Sequence, residues 1–258
     1  MKVAVLVKRV PDTASVLQIA DDGKSVNTGG LKYVMSPYDE HAVEQAIKLK
    51  ETHGGEVVVV SLGPPETKDI VRSALAMGAD SGLLVTGDGI SGLTNKGIAL
   101  ALSAAVKPLG ADLILAGKQA VDDDGSQVPE RVAELLGLPH VSVITRFDLN
   151  GTTATVDREI EGGHYTYDVP LPAVFTTQKG INTPRYPTLP NIMKAKKKPI
   201  VETGLAELGL GPDAMAAQLS VEALSLPRQK RLCRVIQGDS DERVRELVRV
   251  LRVEEKVL

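Results

Sequence analysis

Residues 113–128 read LILAGKQAVDDDGSQV, a short apolar run followed by a polar loop and the start of a helix. The run is continuously apolar instead of alternating, which is typical of a strand buried on both faces of a parallel sheet. Gly117, which ends the run, lets other groups approach the backbone closely. This order of strand, loop and helix predicts an α/β fold with a ligand site at the carboxyl end of the strand.

Three similar apolar runs lie upstream, at Val3–Val7, Val57–Val60 and Leu83–Val85. Segments with helical periodicity lie between and after the apolar runs, and they predict helices over 66–77, 94–106 and 127–136. A further helix start lies at Ser36-Pro37-Tyr38-Asp39, where a serine N-cap, a proline at N1 and an acid at N3 suit a helix N-terminus. The first half of the chain therefore predicts a doubly wound, mainly parallel sheet.

The second half has a different pattern. Val141–Asp148 and Thr152–Ile160 are strand-like and are separated by Asn150-Gly151, a strong signal for a β-hairpin. Ala173–Thr177 predicts another strand. The sheet is therefore expected to carry an antiparallel hairpin extension.

From Gly180 onward the prolines, lysines and loosely periodic helices predict an extended C-terminal arm. We divide the chain into an α/β core at residues 1–180, a loop at 181–200 and the arm at 201–258. The stretch Asp239–Leu258 predicts an amphipathic helix capped by Ser240. Its apolar face could pack on its own domain or grip a partner subunit.

Composition excludes several classes of site. The single cysteine, Cys233, excludes an internal disulfide and any cysteine-based zinc or iron-sulfur site, and the four histidines are scattered. The formal net charge of −3 gives no basis for bulk binding of nucleic acid. Without a signal peptide or a long apolar stretch, we expect a cytoplasmic protein with no membrane insertion.

The loop between the 113–117 run and the next helix is the most informative candidate site. Its amides around Gly125-Ser126-Gln127 lead into a helix N-terminus, which favours an anion. The aspartates at 122–124 would repel a phosphate, and a polar loop with an aspartate N-cap is the alternative. The Gly87–Gly92 stretch matches G-x-G-x-x-G but lacks an acid at the carboxyl end of the next strand, so we do not interpret it as a dinucleotide site.

The sequence contains no known catalytic constellation, because it has no Walker lysine, nucleophile elbow or carboxylate pair beside a base. This favours a binding or carrier role. A nucleotide-hydrolysing enzyme on a similar scaffold is the alternative of another class.

A basic run, Lys194–Lys198, follows Leu189, Ile192 and Met193. An apolar anchor with a basic rim is typical of a surface that docks acidic partners, and a solvated charge run is the alternative. The run lacks aromatic residues that would stack on bases, which argues against RNA or single-stranded DNA.

Seven segments occur in a specific joint order: Val5–Val10, Ser36–Glu44, Ala74–Asp80, Gly117–Asp124, Val156–Gly163, Leu171–Val174 and Pro184–Lys198. In this order the chain resembles the electron transfer flavoprotein beta subunit over nearly its whole length. The resemblance implies a heterodimer in which the alpha subunit holds most of the redox FAD and this chain binds AMP in a structural role. It also implies electron transfer from acyl-CoA or related dehydrogenases toward the quinone pool, through a flavoprotein-quinone oxidoreductase in the membrane.

The resemblance also implies residue roles. The AMP contacts would be Leu6, Ser36, Pro37, Tyr38, Asp39, Leu62, Gly117, Lys118, Gln119, Ala120, Val121, Asp122, Asp123, Asp124, Gly125, Ser126, Gln127 and Val128. Contacts to partner dehydrogenases would come from Arg185, Tyr186, Leu189, Ile192, Met193, Lys194, Lys196 and Lys197, with Leu189 as the anchor.

Two departures from the family pattern bear on the nucleotide. Many members have Asn-Pro where this chain has Ser36-Pro37, and Cys-Asn where it has Gly125-Ser126. Relatives that bifurcate electrons and bind a second FAD in this pocket tend to have Asp-Gly-Asp where this chain has Asp122-Asp123-Asp124. We therefore expect AMP, with a second FAD as the alternative.

Overall fold

The computed structural model describes residues 1–90, 92–211, 219–227 and 233–258. They divide into two compact units. The first comprises Met1–Gln18 and Asn27–Val221, and the second comprises Ile19–Val26 and Glu222–Leu258.

The first unit is built on a nine-stranded sheet of order β11-β5-β4-β1-β6-β10-β7-β8-β9, with β2 and β3 forming a separate antiparallel pair. The strands are β1 Lys2–Leu6, β2 Arg9–Pro11, β3 Tyr33–Met35, β4 Glu56–Leu62, β5 Ser81–Val85, β6 Leu113–Gly117, β7 His140–Asn150, β8 Thr153–Ile160, β9 Gly163–Pro170, β10 Ala173–Thr177 and β11 Ile200–Thr203. The helices of this unit are α1 Pro37–His53, α2 Lys68–Met77, α3 Asn95–Val106, α4 Val128–Leu136 and α5 Leu189–Ala195, with short 3₁₀ turns at Pro65–Thr67 and Lys107–Leu109.

The predicted mixed sheet is confirmed. Strand β1 pairs in parallel with β4 and β6, and β4 pairs in parallel with β5. Strands β7, β8 and β9 form an antiparallel meander. The sequence did not predict that β10 returns between β6 and β7, parallel to both. Strand β11 then adds a parallel edge strand beside β5, and the predicted division at residues 180 and 200 stays a prediction.

The continuous apolar runs are explained by a core on each face of the sheet. Val3, Val5 and Leu113 belong to one buried cluster, with apolar residues of α1 and α2. Ala4 and Ile114 belong to the other, with residues of α3 and α4. Since successive strand residues point to opposite faces, a strand covered on both sides needs an apolar residue at every position.

The second unit contains helix α6, Ser240–Arg249, followed by a π-helical turn at Val250–Glu254. The prediction that Ser240 caps this helix is wrong. Asp239 is the N-cap, because its side chain accepts a hydrogen bond from the Glu242 N–H at 2.9 Å while the Glu242 side chain accepts one from the Asp239 N–H at 3.1 Å. This reciprocal pair satisfies two helix-terminal donors.

Helix α6 carries the predicted apolar face, with Val244, Leu247 and Val248 exposed. What covers that face stays a prediction. Across the described ranges, no helix is long and apolar enough to cross a membrane.

Candidate functional site

A cleft opens at the carboxyl edge of β1, β4 and β6. The cleft encloses a volume of about 120 Å³, and about 720 Å³ when the open space at its mouth is included. It is lined by Leu6, Val7, Lys8, Asp39, Leu62, Asn95, Ile98, Leu102, Ala116, Gly117, Lys118, Gln119, Ala120, Asp123, Gly125, Ser126, Gln127, Val128 and Pro129. The ligand site expected at the end of β6 therefore corresponds to a real concavity.

Asp39 joins three elements at the floor of the cleft. It is the third residue of α1, is buried, and accepts hydrogen bonds from the N–H of Lys8 at 2.7 Å and of Gly117 at 2.9 Å. Because the Lys8 amide follows β1 and the Gly117 amide ends β6, one carboxylate ties the first turn of α1 to the ends of two neighbouring strands. Burial raises the pKa of Asp39 to about 7, although the two amides and Lys8 act in the opposite direction.

Residue 117 must be a glycine because Asp39 and the backbone of Tyr38 lie close to its Cα. A Cβ at residue 117 would lie 2.5 Å from the Oδ1 of Asp39 and 2.7 Å from the backbone carbonyl carbon of Tyr38. Both groups are held in place, since the amides of Lys8 and Gly117 bond Asp39 and the hydroxyl of Thr177 donates to the carbonyl oxygen of Tyr38 at 3.2 Å. The glycine therefore makes room for α1, in addition to any room that it leaves for a ligand.

Lys8 pairs with two of the three aspartates that would repel a phosphate. Its Nζ lies 2.9 Å from Asp122 Oδ1 and 3.1 Å from Asp123 Oδ2. Burial acts to lower the pKa of Lys8, but the hydrogen bonds and charges of these two carboxylates outweigh it and the pKa is raised. A lysine that stays charged beside them offsets one of their two negative charges, which lowers but does not remove the repulsion that an anion would meet here.

Hydrogen bonds among its own polar groups fix the conformation of the loop before α4. Asp123 accepts the Gly125 N–H at 3.1 Å, and Gln119 donates its side-chain amide to Asp124 at 2.7 Å. Asp124 and Ser126 both adopt left-handed φ angles, of 47° and 46°, which Asp tolerates better than most residues. The loop thereby keeps its side chains bonded to one another.

The N-terminus of α4 faces this loop without a side-chain cap. The alternative of an aspartate N-cap is wrong, because the N-cap is Gln127, which makes no capping hydrogen bond from its side chain. The first N–H groups of a helix have no intrahelical partner and carry a partial positive charge. Since Gln127 and Val128 line the cleft, this end of it suits a phosphate.

Another part of the lining is apolar. It combines Leu6 and Leu62 from the sheet with Ile98 and Leu102 from α3. A lining that has both an apolar part and an anion-binding helix end suits a ligand that carries a flat ring and a phosphate. The contributions of α3 and of Lys8 were missed from sequence, although Lys8 directly follows a strand at the edge that we had identified.

The cleft brings together most of the predicted nucleotide contacts but not all of them. Ser36, Pro37, Tyr38, Val121, Asp122 and Asp124 do not line it. Ser36 is fully buried, and within the described ranges its hydroxyl has no hydrogen-bond partner. The Tyr38 ring lies 5.0 Å from the Nζ of Lys118, which orients a cleft residue. Whether these side chains touch a ligand stays a prediction.

The predicted docking residues lie elsewhere on the first unit, around α5. Tyr186 is 95% exposed and Leu189 is 73% exposed, and Ile192, Met193 and the three lysines at 194, 196 and 197 are also exposed. Arg185 differs, because its guanidinium is paired with Glu44 and Glu51 of α1. Among the residues that the structure describes, no cluster of three His, Cys, Asp or Glu side chains could hold a metal ion.

The family model and the relatives that match this chain all point to the same family. A family model described as "Electron transfer flavoprotein domain" matches residues 24–208. The chain is 40% identical over 259 residues to the electron transfer flavoprotein subunit beta of Bacillus subtilis, with all of both chains covered. It is 44% identical over 231 residues to that of Syntrophomonas wolfei, covering 89% of this chain and 87% of the relative. Identity to the mouse subunit is 40% over 225 residues, covering 86% and 88%.

We expect Gly117→Ala to destabilise the fold by about 1–3 kcal/mol, because the new methyl group must displace either Asp39 or the Tyr38 backbone. Urea unfolding measures the change. Gly163→Ala is the matched control, since a Cβ at residue 163 would meet no atom within 4 Å. Equal losses in the two variants would contradict the packing argument.

Asp39 also predicts a pH dependence. The folded chain keeps a proton on Asp39 up to about pH 7, whereas the unfolded chain releases it near the ordinary value of 3.8. Stability therefore falls as pH rises between these values, by at most about 1.4 kcal/mol per pH unit, and levels off above the folded pKa. We expect this decline in the unfolding free energy of the unchanged chain relative to Asp39→Asn, measured by urea unfolding from about pH 5 to about pH 8. A difference that does not vary with pH would contradict it.

Proposed function

This chain belongs to the beta-subunit family of electron transfer flavoproteins, and we propose that it is one subunit of a heterodimeric electron carrier. The carrier accepts electrons from acyl-CoA or related dehydrogenases and passes them through a flavoprotein-quinone oxidoreductase toward the quinone pool. The observation that carries this proposal is the match along the full length of a known beta subunit. In this role the chain binds and positions other components and is not an enzyme by itself.

We propose that the cleft holds AMP. The apolar wall of Leu6, Leu62 and Ile98 would take the adenine, and the uncapped N-terminus of α4 with the amides of Ser126, Gln127 and Val128 would take the phosphate. Lys8 would offset one of the two neighbouring carboxylate charges. A bound nucleotide would then join the ends of β1, β4 and β6 to α3 and α4, which is a structural role.

The flavin belongs mainly to the alpha subunit in this proposal. FAD supplies the redox chemistry, by accepting electrons from one partner and releasing them to the next. This chain helps to hold the alpha-subunit FAD, and the residues that we describe act by binding the nucleotide and by presenting the docking surface.

A second FAD in the cleft is the competing assignment, and Asp123 bears on it. Its carboxylate lines the cleft while bonded to Lys8 and to the Gly125 N–H. A glycine in its place would remove this side chain and leave more room. The aspartate therefore favours the smaller nucleotide.

Extraction of the assembled heterodimer tests the nucleotide assignment. We expect one FAD and one AMP for each heterodimer, counted by chromatography of the released nucleotides. Two FAD and no AMP would overturn the assignment in favour of a bifurcating carrier. Turnover of added ATP by the chain alone would favour the hydrolase alternative.

The exposed surface around α5 supports a docking role. Leu189 and Met193 stand on the exposed side of this short helix, and Lys194, Lys196 and Lys197 follow at its end. An exposed apolar side chain beside several cations suits a partner with an apolar pocket and an acidic rim. The lysines would act mainly on the association rate, and Leu189 on the lifetime of the complex.

We expect Leu189→Ala to lower kcat/KM for transfer from an acyl-CoA dehydrogenase by about tenfold, because truncation removes the apolar anchor. FAD and AMP content should not change. Leu135→Ala, which truncates a half-exposed leucine on α4, is the control and should transfer normally. Normal kinetics in Leu189→Ala would refute the anchor.

A further inference from the structure

The proposed docking segment, residues 185–198, is fixed at its start by Arg185. The guanidinium donates to Glu44 from Nε at 2.9 Å and from Nη2 at 3.0 Å, and to Glu51 from Nη1 at 2.6 Å and from Nη2 at 2.9 Å. The backbone N–H of Arg185 also donates to Glu44 at 3.1 Å. Glu44 is buried and Glu51 lies two turns further along α1, so the arginine is bound along the length of the helix.

Asn182 strengthens this first attachment. Its side-chain amide donates to the carbonyl oxygen of His41 at 3.0 Å and to the side chain of Gln45 at 3.2 Å. His41, Glu44 or Gln45, and Glu51 recur along one stripe of α1 at helical spacing. The chain from 182 to 185 therefore lies along α1 with polar contacts at both ends.

The end of the segment is fixed on a different helix, α2. Arg72 donates from Nη1 to the carbonyl oxygens of Ala195 at 2.7 Å and of Lys198 at 2.5 Å. Lys198 in turn donates to the carbonyl oxygen of Leu75 at 3.0 Å, near the C-terminus of α2. Ala195 is buried. Cations that bond the last carbonyls of a helix are favoured by its dipole.

The residues between these two attachments are the exposed ones. Helix α5 has seven residues and buries only Ala195. A helix this short is not stable by itself in water, and its own apolar side chains contribute little burial. The attachments on α1 and α2 are therefore needed to keep the segment in one conformation.

We propose that Arg185 and Arg72 are positioning residues that hold the docking segment between α1 and α2, so that Leu189 is presented in its binding conformation before the partner arrives. This inference rests on the proposed docking role of the segment. It assigns Arg185 an internal role, because all the guanidinium contacts described above go to carboxylates of the same chain. Ordering the segment in advance lowers the entropy that docking must overcome.

The test variants must spare the fold. Arg185→Ala would leave the buried carboxylate of Glu44 unpaired, which is strongly destabilising. Arg185→Lys keeps the charge but loses the planar fork that reaches both glutamates at once. Glu51→Gln weakens the attachment from its exposed side. Arg146→Lys is the matched control, because Arg146 pairs with Asp148 and Asp157 on the β7–β8 hairpin.

Two readouts are taken on the assembled heterodimer. In Arg185→Lys and Glu51→Gln we expect the KM for the carrier, with an acyl-CoA dehydrogenase as donor, to rise about threefold to tenfold while kcat at saturation stays unchanged. Amide hydrogen exchange over residues 186–194 should become faster in the same variants. Arg146→Lys should change neither. An unchanged KM together with unchanged exchange in the Arg185 and Glu51 variants would overturn the proposal.

A double-mutant cycle with Leu189→Ala separates positioning from general destabilisation. If Arg185 acts by presenting Leu189, its effect on KM shrinks toward none in the Leu189→Ala background. Equal effects in both backgrounds would overturn the proposal. If Leu189→Ala alone leaves transfer normal, the docking role fails, and faster exchange over 186–194 in Arg185→Lys still decides whether the attachments hold the segment.

Discussion

The carboxylate of Asp39 is the contact on which the cleft depends. It lies in the first turn of α1 and accepts two hydrogen bonds, one from the backbone N–H of Lys8, just after β1, and one from that of Gly117, at the end of β6. Strands β1 and β6 are neighbours, and their parallel ladder sets their spacing as far as Leu6 and Ala116. Beyond that pair, a single buried acceptor bonds the next free amides and ties them to α1, and Gly117 is the residue that lets it come close enough.

The same helix also serves the docking segment. Asp39 lies in its first turn, whereas Glu44 and Glu51 lie further along it and bind Arg185. From Asp39 to Glu51 a straight helix rises by about 18 Å. The cleft and the segment around α5 are therefore both placed relative to one rigid element, which keeps a fixed distance between them.

Local pattern predicted the central strands and the hairpin but not the short or edge strands β2, β3, β9 and β11, and not the contacts among the elements. Apolar runs and helix starts predicted β1, β4, β5, β6 and the β7–β8 hairpin because each depends on residues close in sequence. The placement of β10 between β6 and β7, and the contribution of α3 to the cleft, depend on pairings between distant residues. Ser240 shows the limit at short range, since Asp239 and Ser240 are both good N-caps and the reciprocal bond with Glu242 decides between them.

The lysine run shows why composition alone left its role open. Lys198 turns inward and donates to the carbonyl oxygen of Leu75 in the last turn of α2, and burial lowers its pKa. Lys194, Lys196 and Lys197 stay exposed. One continuous basic stretch thus divides into an internal attachment and an external rim, and the division follows from where the chain leaves α5 and enters β11. The sequence shows a run of lysines, but only the contacts of each side chain show which of them are exposed on the surface.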